Sequence, residues 1–137
     1  MWHSTFSARL KSWNQLREYT QNLPLEAALD AINDWWSQTP WQPYYLHWDD
    51  QHIWPDPWQL LSDNVYCYLA RGLGILYTIT LLDRADMAPA SLVLTEEGHN
   101  LVLVGKTKYI LNWDDEAVVN NFQEVKIKRQ YQQKQIV

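Results

Sequence analysis

Apolar residues recur at helical spacing in the first third of the chain and at strand spacing in the last third. Phe6, Leu10, Trp13 and Leu16 fall at i, i+4, i+7 and i+10. They form one face of a predicted helix that Ser4 caps and that runs to about Asn22. Asn22 and Pro24 open a second helix, whose inward stripe is Leu25, Ala28, Leu29, Ile32, Trp35 and Trp36, with Glu26 and Asp30 outward. From Ser37 to Pro57 no period survives, and Pro40, Pro43, Pro55 and Pro57 alternate with Trp41, Tyr44, Tyr45, Trp48 and Trp54. A connection this long in a small domain is functional or a packed cover, and its rings argue that it packs.

Helical patterning returns between Trp58 and Leu82, with two starts open. Asp63 or Asn64 as N-cap puts Cys67 in the first turn, whereas a start at Pro57 puts it mid-helix. Beyond Pro89 four strand-like runs follow, Ser91–Thr95, His99–Val104, Lys108–Asp114 and Phe122–Arg129. Helices first and an antiparallel meander last is an α+β order. The length is that of one domain, 1–137: a helical part to 36, an aromatic loop 37–57, a helix and small antiparallel sheet over 58–129, and a polar tail 130–137.

Composition narrows the function. Nine tryptophans and eight tyrosines against two phenylalanines favour half-wet grooves and interfaces over a dry core, so a protein partner is expected. A net charge of −5 supplies no basic surface for phosphate, so nucleic acid is not an expected partner. Leu73 to Leu82, the most apolar stretch, is about half the length that spans a bilayer, and no cationic start precedes an apolar run at the N-terminus. No membrane association is expected, and the single cysteine fits a reducing cytoplasm.

Specific chemistry gathers around that cysteine. Cys67 precedes the apolar helix, His99 opens one strand and Asp114 closes the next, with Gly105-Lys106-Thr107 as the turn between them. Thiol, then imidazole and carboxylate on paired strands, is an order that a Cys-His-Asp nucleophilic site uses. Each residue also has a plainer reading: Cys67 as a small buried hydrophobe between Tyr66 and Tyr68, His99 as a turn residue beside Gly98, and Asp114 as a strand end. The group His47-Trp48-Asp49-Asp50-Gln51-His52 matches no metal motif, so no metal and no cofactor are expected. Trp41, Trp48, Trp54 and Trp58 are the candidate binding rings.

These residues resemble the transglutaminase-like cysteine-hydrolase superfamily over about Asp63 to Asp115. His99 at a strand start, the hairpin turn, and Trp113 before Asp114 look like its pattern, while Tyr66 stands where the family has a small or polar residue and Leu101 where it has an aromatic. The resemblance implies a central helix bearing Cys67 against a small sheet. It implies thiol-dependent amide hydrolysis or acyl transfer, with Cys67 attacking, His99 as base and Asp114 orienting it. The alternative class is a non-catalytic structural or adaptor component of a larger assembly. The short, tryptophan-rich chain is also similar in character to small structural proteins of tailed phages, which implies a virion location.

Overall fold

The computed structural model describes residues 2–43, 45–105, 108–114, 117–120 and 125–132, without the side chains of Asp114, Ala117, Val119 and Asn120. Helix α1, Phe6–Thr20, is capped by Thr5, whose hydroxyl accepts from the Ala8 N–H, one residue later than the predicted cap. Trp13 and Leu16 are buried as expected, but Phe6 is exposed and Arg9 takes its place inward, its Nε donating to the Leu61 carbonyl at 2.7 Å. Helix α2, Leu25–Ser37, buries Ala28, Leu29, Ile32 and Trp36, and also Asn33.

The predicted central helix is two. Helix α3, Pro57–Asp63, starts with Pro57 behind the Asp56 cap and ends on Asn64 in the left-handed region (φ 56°). Helix α4, Tyr68–Leu82, follows after Val65, Tyr66 and Cys67. Both sequence readings of its start therefore miss: Cys67 is neither mid-helix nor in the first turn, but is itself the N-cap.

The sheet comprises β1 (Ala90–Thr95), β2 (Asn100–Val104), β3 (Tyr109–Asp114), β4 (Ala117–Asn120) and β5 (Ile127–Tyr131), in the order β4-β3-β2-β1-β5. All pairings are antiparallel. The α+β architecture stands as expected. The last strand spans Ile127–Tyr131, two residues beyond the expected end at Arg129, and the expected start at Phe122 lies outside the described residues, as do Lys106 and Thr107 of the turn and residues 133–137 of the tail. Strand β4 was not predicted, and β5 returns to the far edge beside β1.

Helix α4 fits closely between the sheet and α2 because it carries glycines where the gap is narrowest. A Cβ on Gly72 would lie 2.6 Å from Leu92 Cδ1, and one on Gly74 would lie 2.4 Å from the Trp36 ring. Trp13 and Trp36 both donate their indole N–H to the Thr78 hydroxyl, at 2.9 and 3.0 Å, and Thr78 donates to the Gly74 carbonyl at 2.8 Å. Two buried indoles are thus satisfied by one hydroxyl.

Candidate functional site

Position 67 is fixed from both sides. The aromatic loop is stitched to the residue before it by a parallel bridge between Trp41 and Tyr66, with Gln42 N–H donating to the Tyr66 carbonyl at 2.7 Å. The start of that loop is held by Arg71, one turn into α4, whose guanidinium donates to the Thr39 hydroxyl at 2.9 Å and the Thr39 carbonyl at 2.7 Å. Cys67 is 7% exposed, and its Sγ accepts from the Ala70 N–H at 3.4 Å. The sulfur thus stands at the positive end of the α4 helix dipole.

A cleft of about 300 Å³ opens beside it, with walls from Trp41, Trp48, Tyr68 and Leu94, and with His47, Cys67 and Asn100 among its lining residues. Trp41 is 50% exposed, and its ring lies 5.6 Å from that of Tyr68, itself 46% exposed. Of the four candidate tryptophans, Trp41 and Trp48 line this cleft. Trp54 stands behind Trp48, ring to ring at 5.4 Å, and donates to the His47 carbonyl. Trp58 belongs to the core beside Trp13.

Strand alternation decides which residues of β2 face Cys67. Val102 and Val104 point to α4, and Leu101 and Leu103 point to the opposite face with Val93 and Ile110. The residue in phase with Val102 is Asn100, which lines the cleft; His99 is in phase with Leu101. The His99 ring packs 5.3 Å from that of Trp113, with its Nε2 3.8 Å from Glu97, and is about half exposed. Among the described residues Cys67 Sγ is bonded to Ala70 and not to His99. The expected thiol–imidazole pair is therefore not brought together. Asp114 ends β3 opposite Ala117, and its side chain lies outside the described residues.

Two asparagines that sequence reasoning passed over occupy the cleft side instead. Asn100 Oδ1 accepts from the Trp48 indole N–H at 2.8 Å. Asn112 adopts φ 64°, a left-handed conformation that asparagine tolerates better than most residues. Its backbone N–H donates to Asn33 Oδ1 on α2 at 2.8 Å, and its Nδ2 donates to the Tyr68 carbonyl at 2.9 Å and the Asn100 carbonyl at 2.8 Å. One residue thereby ties α2, the first turn of α4 and the start of β2 together. For Asn100 the signal available in the sequence was its phase with Val102, readable only once the register is known; Asn112, next to Leu111, reaches the same side through its left-handed backbone and gave no such signal.

Titratable groups nearby do structural work. Burial, then the hydrogen bond to Asp63, raises the Tyr45 phenol. The Arg129 guanidinium, by hydrogen bond and charge, holds the Asp49 carboxyl below its ordinary value. Among the described residues no group of three or more His, Cys, Asp or Glu is placed to hold a metal ion, and no helix is long and apolar enough to cross a membrane.

No protein-family model matches the chain. No curated protein matches it in sequence. Among solved structures it is similar to Legionella pneumophila LapG, a transglutaminase-like cysteine protease. The calcium-bound form aligns with TM-score 0.71 and 11% identity over 95% of this chain and 77% of that one. A second LapG structure gives 0.63 at 11% identity, over 92% and 70%. The likeness shows a shared fold, and the phage resemblance finds no counterpart in it.

Proposed function

We propose that this chain is a non-catalytic binding module on a transglutaminase-like fold, which engages a protein segment through the aromatic cleft at the start of α4. The observation that carries this reading is the phase of β2: a carboxamide, not the His99 imidazole, faces the cleft beside Cys67. A nucleophilic thiol needs a proton acceptor within hydrogen-bonding reach. The exposed rings of Trp41 and Tyr68 at the mouth of the cleft give an incoming segment rigid apolar contact at small entropic cost.

One observation favours a second reading, thiol-dependent amide chemistry at Cys67: another imidazole, that of His47, lines the same cleft. Labelling with iodoacetamide at pH 7 separates the two. The binding module labels slowly, as a shielded thiol does, and equally in the parent, His99→Ala and His47→Ala proteins. Fast labelling that His47→Ala abolishes establishes the second reading. Fast labelling that His99→Ala abolishes overturns the stated geometry.

A further inference from the structure

We infer that Trp2 and His3 form an N-terminal strap that holds the linker between α3 and α4, and that undocking of this strap releases the Trp41 wall of the cleft. The device concerns the position of residues 64–67 and goes beyond the reading above, since it holds whether the cleft binds or reacts. The strap is docked by its ring and by its backbone. The half-buried Trp2 indole stands edge-on to Trp35 of α2, with ring centroids 4.9 Å apart, and to Tyr66 at 5.8 Å. Its N–H donates to the Asn64 side-chain oxygen at 2.6 Å, a bond that spans 62 positions of the chain. Asn64 is the left-handed residue on which α3 ends, so Trp2 grips the break between the two helices. His3 offers its carbonyl to the Arg9 guanidinium at 3.1 Å.

From the linker the coupling passes to the cleft. Trp2 packs on the Tyr66 side chain, while the Tyr66 backbone carries the bridge to Trp41 and accepts from the Gln42 N–H at 2.7 Å. Trp41 is a wall of the cleft. A strap that lifts therefore frees the residue on which that wall hangs.

Two features leave the docked state poised to open rather than locked. The Tyr66 hydroxyl is fully buried and has no partner among the described residues. Arg9 is 5% exposed, yet its bonds run to the carbonyls of Leu61 and His3, and among the described residues no carboxylate pairs with it. A hydroxyl without a partner and a cation without a counter-ion both gain hydration when their cover lifts. Ring packing holds the strap down and these polar groups oppose it, so closure is a balance.

The test is hydrogen exchange of the full chain, followed by NMR at low urea. In the parent, the Gln42 amide and the Trp2 indole N–H exchange through one local opening that low urea barely accelerates. The Ile75 amide, in the middle of α4, exchanges only by urea-sensitive unfolding. Trp2→Ala removes what holds the strap down, and Gln42 exchange rises about 10-fold. Tyr66→Phe keeps the ring and deletes the unpartnered hydroxyl, so the docked state gains and Gln42 exchange slows. These opposite signs separate a poised strap from mere loosening of the packing, which speeds both variants. Gln42 exchange that climbs with urea as steeply as that of Ile75 overturns the inference, as does an unchanged rate in folded Trp2→Ala protein. Faster or unchanged exchange in Tyr66→Phe overturns it too, and that arm stands if Trp2→Ala does not fold. No arm uses Cys67 labelling, so the reading of the cleft stands or falls separately.

Discussion

The Trp48 indole donates its N–H to the side-chain oxygen of Asn100 at 2.8 Å, joining the aromatic loop to the first residue of β2 across the rim of the cleft. Trp48 is 8% exposed, so this bond is partly shielded from water. Trp48→Phe keeps most of the ring volume and removes the donor. Stability falls by about 1–2 kcal/mol, the loss of one shielded hydrogen bond with slight underpacking. Urea denaturation followed by circular dichroism checks this, and an unchanged midpoint refutes it.

A sharper loss follows at Thr78. Thr78→Val is nearly isosteric, yet it strands the buried indole N–H groups of both Trp13 and Trp36. At about 1–3 kcal/mol for each unsatisfied buried donor, the cost is roughly 2–6 kcal/mol in total. Thr78→Ser, which retains the hydroxyl, loses much less. Comparing the two denaturation midpoints isolates the hydroxyl from the methyl group.

Alanine is ordinarily the better helix former, by about 1 kcal/mol over glycine. At Gly74 that preference is reversed, because the added Cβ falls 2.4–2.6 Å from three ring carbons of Trp36. The ring is fully buried and has no room to yield. Gly74→Ala therefore destabilises by about 1–3 kcal/mol net. A rise in the melting temperature excludes the close approach described.

Alkaline pH tests the buried phenols. Burial, the largest cause in each, raises Tyr66 and Tyr77 above the ordinary tyrosine value. Tyr77 donates its O–H to the Pro55 carbonyl at 2.6 Å, and the Tyr66 oxygen has no partner among the described residues. A folded-state pKa above the unfolded one means that the native state holds its protons longer. The contribution of these groups is complete below about pH 10 and is lost as the pH rises beyond it. Denaturation midpoints between pH 8 and 11 should fall only at the alkaline end, together with late-ionising absorbance near 295 nm. Stability that is flat throughout contradicts the assignment.

The first two helices were legible because amphipathic spacing survives small errors of register. Trp13, Leu16, Leu29, Ile32 and Trp36 are inward whichever residue caps the helix. The exchange of Phe6 for Arg9 was not legible, because the carbonyl of Leu61 that satisfies the guanidinium lies 52 positions away in the chain. The site failed to read for a related reason. Cys67 is the N-cap of α4, one residue outside the first turn that one sequence reading gave it and far from the mid-helix place of the other. The cause is the left-handed Asn64, which ends α3 and breaks the expected helix in two. His99 was placed by its position at a strand start, where one position is the whole difference between two faces of a sheet. Asn112 adds a left-handed residue that shifts the phase of β3 before Trp113 and Asp114, which no alternation rule anticipates.

Strand β5 completes the sheet by lying against β1, whose other neighbour is β2. During vectorial synthesis Thr95 leaves the ribosome well before its partner Ile127 does. One flank of β1 therefore waits with its amides unclaimed while the rest of the meander assembles. An open flank of this kind is a template for foreign strands. The basic run Lys126-Ile127-Lys128-Arg129 arrives last, and with it the flank is sealed by the protein's own chain.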